Sequence, residues 1–203
     1  MLAVAAAAPG LRAQARPARI LVVGDSLSAE YGLARGSGWV ALLQRKLQDE
    51  GFGRSSVVNA SISGDTTAGG RARLQPLLLA HKPTHVVIEL GANDALRGLP
   101  LQASQRNLTE MVQQSKAAGA RVLLLGMRMP PNYGRQYGEQ FAGMYEAVSR
   151  EQKVPLVPFL LKGVADAPDA QRLFQADQIH PLAQAHPVML GNVWPALRPL
   201  LAS

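Results

Sequence analysis

Cysteine is absent from the 203 residues. That excludes a disulfide scaffold, a thiolate zinc site, an iron–sulfur cluster and a cysteine nucleophile. It leaves the redox compartment open, because a chain of this length builds a core without staples. Aromatic residues make up only 5%, too few for the stacking platforms that hold single-stranded nucleic acid. No apolar run reaches the roughly 18 residues of a membrane-spanning helix, so stable membrane insertion is not expected. Internal repeats, low-complexity linkers and domain boundaries are missing after residue 16. What remains is 47% hydrophobic and 17% charged, an ordinary globular mixture of one-domain length.

The 21 Lys and Arg against 14 Asp and Glu give a net charge of +7. The basic residues are scattered. The densest groups, Arg71/Arg73 and Arg12/Arg16/Arg19, are short and have no interleaved aromatics, so no nucleic-acid partner is expected. The first fifteen residues, MLAVAAAAPGLRAQA, are Ala-rich and end in the small-x-small tripeptide Ala13-Gln14-Ala15. They fit a partial signal peptide better than a disordered tail, although a charged start is missing. The expected division is a leader over 1–15 and one domain over 16–203, placed in the periplasm or outside the cell. No coiled-coil pattern or evident oligomer surface stands out, so a monomer is expected.

Five runs rich in Val, Ile or Leu read as strands buried on both faces: Ile20–Val23, Val57–Asn59, His85–Leu90, Arg121–Leu125 and Pro155–Phe159. Helical patterns lie between them. Trp39, Leu42, Leu43 and Leu47 share one face before Gly51. Thr67–Ala80 follows, with a bend expected at Pro76. Leu101, Leu108, Met111, Val112 and Ser115 mark a third helix, ended by Gly119. Phe141, Met144, Tyr145 and Val148 mark a fourth. Leu190, Trp194, Leu197 and Leu201 mark a last one, with an interruption expected at Pro195. Regular strand–helix alternation calls for a parallel sheet covered by helices. The chain is short for an eight-fold barrel, so the fold class is α/β, an open doubly wound five-stranded sheet. Its working site belongs beyond the C-terminal ends of the strands.

The residues at those ends are small and polar. Strand one runs into Gly24-Asp25-Ser26-Leu27-Ser28, strand two into Asn59-Ala60-Ser61-Ile62-Ser63-Gly64, and strand three into Gly91-Ala92-Asn93-Asp94. Asp177 and His180 stand three apart near the C-terminus. Acyl transfer needs these types. A serine hydroxyl needs a base within reach, a neutral histidine supplies it, and an acidic partner fixes the imidazole tautomer. Donors must also face the oxyanion that forms. Ser26, His180 and Asp177 fit the first three roles. The N–H groups of Ser26 and Gly64 and the Asn93 amide fit the fourth. Taken singly, Gly-Asp-Ser is a common turn and Asn93-Asp94 an ordinary helix-capping turn; together they are harder to dismiss.

GDSLSAEYGL, VVNASISGDTT, ELGANDALRGL, PPNYGRQY and DQIHP, in this order, resemble the GDSL or SGNH hydrolase family, in particular its bacterial thioesterase, lysophospholipase and arylesterase subgroup. The resemblance runs from about Arg19 to Leu201. It implies a flavodoxin-like three-layer α/β/α sandwich with strand order 2-1-3-4-5. It implies Ser26 as nucleophile with Asp177 and His180, an oxyanion hole of Ser26, Gly64 and Asn93, and a mobile Ala95–Pro100 segment over the acyl groove. Two positions depart from the pattern: Gln178 stands where Gly is expected, and Leu182 where a polar residue is more usual.

The expected function is a serine esterase of broad acyl scope, acting on carboxylic esters, thioesters and lysophospholipids through an acyl-enzyme on Ser26. Leu27, Leu96, Leu99, Leu101, Met127, Pro130 and Tyr133 are the expected acyl contacts. A carbohydrate O-acetylesterase is the competing enzyme, disfavoured by the apolar Leu96, Leu99 and Leu101. A flavodoxin-like ligand-binding module is the non-enzymatic alternative. It is disfavoured because the first turn lacks a phosphate-cradling glycine motif and Asp25 would repel a phosphate. No cofactor is expected. No metal is expected either, because Pro83 lies between His81 and His85 and breaks a helical pair, and His186 reads as a surface or supporting residue. Glu89, inside an apolar strand, reads as a buried structural carboxylate.

Overall fold

The computed structural model describes residues 17–202; the expected leader over 1–15 lies outside them. Five parallel strands, β1 (Arg19–Gly24), β2 (Ser56–Asn59), β3 (His85–Glu89), β4 (Arg121–Leu125) and β5 (Leu156–Val157), form one sheet in the order β2-β1-β3-β4-β5. This is the strand order expected above. The three middle strands are almost wholly buried, as unbroken Val/Ile/Leu runs require when helices cover both faces. The register sets the working edge: Val22 pairs with Asn59, and Gly24 with Glu89. The loops that carry Ser26, Gly64 and Asn93 therefore leave the sheet on the same side.

Six α-helices flank the sheet: α1 (Trp39–Asp49), α2 (Thr67–His81), α3 (Ala92–Leu96), α4 (Leu101–Ala117), α5 (Arg135–Gln152) and α6 (His186–Leu201). α1 packs on α6 in one layer, and α2, α4 and α5 pack in sequence in the other. Trp39, Leu43 and Leu47 of α1 and Phe141, Met144, Tyr145 and Val148 of α5 are buried as their spacing predicts. Gly51 and Gly119 take φ of +84° and +81° just past α1 and α4, the left-handed exit that glycine adopts at least cost.

Most boundaries shift by a residue or so, and three elements depart further from the sequence expectation. α6 is not interrupted at Pro195 but runs through both Pro195 and Pro199. A proline inside a helix costs about 3 kcal/mol. Here Met189, Val193, Trp194, Leu197 and Leu201 are buried on the same helix, and that burial outweighs the lost hydrogen bonds. β5 keeps only Leu156–Val157 of its expected five residues, because Pro155 and Pro158 have no N–H for a ladder. The short helix α3 arises where only a capping turn was considered.

Candidate active site

β1 does not feed directly into a helix. After Gly24 the chain makes a succession of turns up to Trp39, and Ser26 opens them. The carboxylate of Glu30 (φ +60°) gathers this loop by accepting from the N–H groups of Gly36 and Gly38 at 2.8–3.0 Å. Asn59, at the end of β2, donates its side-chain amide to the Ser28 carbonyl at 2.7 Å. Together these bonds hold the Ser26 turn against the sheet edge.

Asp177 and His180 sit at the tip of a small hairpin. The Gln175 N–H donates to the His180 carbonyl at 2.8 Å, the Leu182 N–H donates to the Leu173 carbonyl at 2.7 Å, and Phe174 bridges Pro181. The tip brings His180 Nε2 to 2.9 Å from Ser26 Oγ, while its Nδ1 lies 2.7 Å from Asp177 Oδ2. The other oxygen, Asp177 Oδ1, accepts the N–H groups of Ile179 and His180 at 2.9 and 3.0 Å. The His180 N–H, the His180 ring and the Ile179 N–H together hold the Asp177 carboxyl down at about 2. It is thus an anion beside the imidazole at every working pH.

Two further ties on this hairpin were not legible in the sequence. The Gln175 side-chain amide donates to the Tyr31 carbonyl at 2.9 Å, fastening the hairpin to the loop that follows Ser26. Gly32 (φ +69°) faces Gln175 so closely that a Cβ there would collide with its side chain. The Tyr31 ring lies 4.3 Å from the His180 ring, tilted by 38°, and limits how far the imidazole can swing. Gln175 lies in no motif, and Tyr31, although within the GDSLSAEYGL block, carries no sign there of a contact with a distant hairpin. Gln178 does have a signal: its φ of +57° is the left-handed backbone that glycine adopts without strain, which is why glycine suits this position.

Three donors stand on the segments that follow β1, β2 and β3. Among the described residues neither the Ser26 N–H nor the Gly64 N–H meets a hydrogen-bond acceptor. Gly64 takes φ +78°, and its carbonyl accepts from Arg97 Nη2 at 2.7 Å. Asn93, on α3, points its amide nitrogen at Asp25 Oδ2 and at the Asp65 carbonyl, both at 3.0 Å. Its two hydrogens are thus engaged. Arg73, read from sequence as part of a short basic group, instead holds this loop. It pairs with Asp65 Oδ2 at 2.7 Å and donates to the Ala60 carbonyl.

A buried polar network anchors α3. Asp94 accepts from the Thr67 hydroxyl at 2.5 Å, the Thr67 N–H at 2.9 Å and the Ser104 hydroxyl at 3.0 Å. The Asn107 amide donates to Thr67 Oγ1 at 3.0 Å. The starts of α2 and α4 and the whole of α3 are thereby tied together behind Asn93. In the sequence Asp94 reads as a simple cap; its real partners lie on two other helices.

The expected acyl contacts divide into two groups. Leu96, Leu99, Pro130 and Tyr133 are exposed, and Leu101 is half-buried. Leu27 and Met127 are buried within the main core, so in this conformation they back the site rather than line it. The Tyr137 hydroxyl donates to the Ala95 carbonyl at 3.2 Å, joining the start of α5 to the segment before Leu96. Leu182 is exposed beside the hairpin.

Two of the remaining histidines, His85 and His186, hold structure. His85 Nε2 contacts the Leu200 carbonyl at 2.9 Å and its Nδ1 contacts Thr84 Oγ1 at 2.8 Å. His186 Nδ1 accepts the Trp39 N–H at 3.0 Å, at the start of α1. Burial lowers the pKa of both, which keeps them neutral. His186 is therefore buried rather than a surface residue.

The profile of the GDSL-like Lipase/Acylhydrolase family matches residues 22–188. The chain is 55% identical over 191 residues to Esterase TesA of Pseudomonas aeruginosa, covering 94% of this chain and 93% of that one. A crystal structure of TesA superimposes with a TM-score of 0.86 over 90% of this chain and 99% of that one. Thioesterase 1/protease 1/lysophospholipase L1 of Escherichia coli (strain K12) is 43% identical over 182 residues, covering 90% and 84%. The psychrotrophic esterase EstA from Pseudoalteromonas sp., in a structure inhibited by monoethylphosphonate, is 40% identical with a TM-score of 0.82, covering 91% and 99%.

Proposed function

This chain belongs to the GDSL-like lipase/acylhydrolase family, and we propose that it is a serine esterase and thioesterase of broad acyl scope working through an acyl-enzyme on Ser26. The observation that carries the reading is the hydrogen-bonded relay Ser26–His180–Asp177, closed at 2.9 and 2.7 Å between residues 154 positions apart.

Ser26 Oγ attacks the carbonyl carbon of the ester or thioester, and its proton passes to His180 Nε2. The Nδ1–H of the resulting imidazolium is held by the Asp177 carboxylate. The charge that develops on the carbonyl oxygen meets the N–H groups of Ser26 and Gly64, which have no other partner to give up, and the Asn93 amide. Collapse expels the alcohol or thiol, which takes the proton from His180. Water then repeats the sequence against the acyl-enzyme, and the free acid leaves with Ser26 restored. The exposed Leu96, Leu99 and Tyr133 provide apolar surface beside the acyl position. That surface supports longer acyl chains, lysophospholipids among them.

Residues 16–203 are read as the mature enzyme, a monomer, with residues 1–15 as a leader for export to the periplasm or beyond. The Ala13-Gln14-Ala15 tripeptide supports that division. Among the described residues no helix is long and apolar enough to cross a membrane. A panel of aryl esters, acyl-CoA thioesters and lysophospholipids tests the substrate class. Turnover of the aryl esters and thioesters is expected. Turnover confined to acetylated sugars would replace this reading with the O-acetylesterase.

A further inference from the structure

One buried group near the site takes no part in the relay. Glu89 ends β3, is fully buried, pairs with Gly24 at the end of β1, and accepts from the Asp25 N–H just beyond it. Its two oxygens have unequal surroundings. Oε2 accepts the Ser28 hydroxyl at 2.7 Å and the Asp25 N–H at 3.2 Å, and the Trp39 indole N–H in turn donates to Ser28 Oγ at 3.2 Å. Among the described residues Oε1 meets no donor, yet it is buried. A carboxylate would need donors at both oxygens. A carboxylic acid needs them only at its carbonyl oxygen, provided its O–H finds an acceptor.

The acceptor is adjacent: Gly24 pairs with Glu89 across the ladder, and the Asp25 N–H donates to Glu89 Oε2 at 3.2 Å, which sets the two acidic residues side by side. Asp25 is surrounded by donors, with Oδ1 taking the Leu27 N–H and Oδ2 the Asn93 amide, each at 3.0 Å. The proton therefore belongs on Glu89 and the charge on Asp25. We propose that Glu89 is a positioning residue which stays protonated in the working enzyme, donates to the Asp25 carboxylate, and through it fixes the Asn93 amide that faces the oxyanion. The inference rests on the oxyanion role proposed for Asn93 above.

Other groups near the pair agree with this assignment. Burial and the Asp25 charge push the Glu89 carboxyl well above the usual carboxylate range. Burial raises Asp25 to about 6, while the Leu27 N–H and the Glu89 hydrogen bond pull it down. The Tyr145 hydroxyl donates to the Leu90 carbonyl rather than to either acid, and Asp94 is occupied by Thr67 and Ser104. Arg73 reaches the Gly24 carbonyl at 3.4 Å, not the carboxyl pair, and His180 acts on Asp25 only through space. Gly24 is required at its position, because a Cβ there would sit 2.7 Å from Glu89 Oε2.

Glu89→Gln keeps a donor of similar shape, whereas Glu89→Leu removes it. With an acetyl ester, Glu89→Gln is expected to retain kcat within about threefold of wild type. Glu89→Leu is expected to lose about 10- to 100-fold in kcat with little change in KM, as loss of an oriented oxyanion donor does. The acid limb of the pH profile should move to higher pH in Glu89→Leu and stay in place in Glu89→Gln, a split that a purely structural role would not produce. Wild-type protein carrying carboxyl-13C glutamate supplies a readout independent of either variant's folding. One glutamate signal should remain at the carboxylic-acid position at pH 7 and be missing from Glu89→Gln. Ionisation of every glutamate at pH 7, or an equal loss of kcat in both variants, overturns the inference. Failure of the parent reading shows separately, as a wild type that hydrolyses no ester.

Discussion

The Arg97 guanidinium donates to the Gly64 carbonyl at 2.7 Å, so the segment beside the acyl position is fastened to the loop that presents the free Gly64 N–H. Both residues take part in one local geometry: Gly64 sets the direction of its N–H, and Arg97 holds the opposite side of the same residue. The bond is exposed, and a charged hydrogen bond in such a place contributes about 1 kcal/mol. Arg97→Ala should lower kcat for an acetyl ester by roughly fivefold, with KM little affected. Unchanged kcat in steady-state assays would show that Gly64 keeps its orientation unaided.

Ser26 is the expected point of covalent modification. An organophosphate or a sulfonyl fluoride should label it, and Ser26→Ala should retain negligible hydrolysis. Peptide mapping by mass spectrometry decides the matter. Ser28 and Ser63 are the informative alternatives, and Ser28 is already committed to Glu89 at 2.7 Å.

Activity and stability should part company in mild acid. Asp25, raised by burial to about 6, is a carboxylate above that pH and accepts from Leu27 and Asn93. As the pH falls through about 6 it takes up a proton and the Asn93 amide loses its anchor. The effect of Asp25 on folding has the opposite sign. Its folded value lies above the ordinary 3.8, so between about pH 6 and 4 the folded chain holds a proton that the unfolded chain releases, and acidification favours the fold through this group. Asp177 is held at about 2; its contribution is complete above about pH 4 and is lost only as the pH falls through about 2. The expected result is a fall in kcat/KM as the pH drops through about 6, with circular dichroism unchanged at pH 5. A loss of ellipticity that tracks the loss of activity would contradict it.

Acyl selectivity should follow the exposed leucines. Each buried methylene contributes about 0.8 kcal/mol, roughly a fourfold gain, so kcat/KM should climb from acetyl upward until the apolar surface is covered. Leu99→Ser should flatten that climb while acetyl-ester turnover stays nearly constant. The check is kcat/KM across a series of acyl esters with both proteins; a wild-type preference for acetyl over every longer chain would exclude the apolar surface as the acyl site.

Gln178 occupies a left-handed position at φ +57°. A side chain there costs roughly 1–2 kcal/mol, partly offset by the greater chain entropy of glycine. Gln178→Gly should therefore raise the melting temperature slightly or leave it unchanged, while Gln178→Val should lower it. Thermal melts of the three proteins, with kcat measured alongside, separate backbone strain from any effect on the relay.

The strands and the helix faces were legible in the chain because each is a local pattern. Val and Ile runs mark β1 and β3, and Phe141-Met144-Tyr145-Val148 marks the buried stripe of α5. The spacing of Asp177 and His180 was legible for the same reason. The ends of elements were harder where two forces compete, as at Pro195, where buried residues on both sides carry the helix through a residue that breaks exposed ones. Contacts between distant segments were not legible at all. Gln175 with Tyr31, Arg97 with Gly64, and Asp94 with Thr67 and Ser104 join residues that follow no periodic rule. Glu89 falls between: its burial follows from the apolar strand around it, but its partner is known only once β1 lies beside β3.

The two halves of the site differ in how they are mounted. Ser26, Gly64 and Asn93 leave the ends of three adjoining strands and inherit their spacing from the backbone ladder. His180 rides on a hairpin outside the sheet, fastened to the nucleophile's loop by Gln175 and Tyr31. Inactivation and melting are consequently expected to be separable, with the hairpin opening before the sheet does: it hangs on a few bonds at its base and on the Gln175 and Tyr31 contacts, whereas the strands are buried.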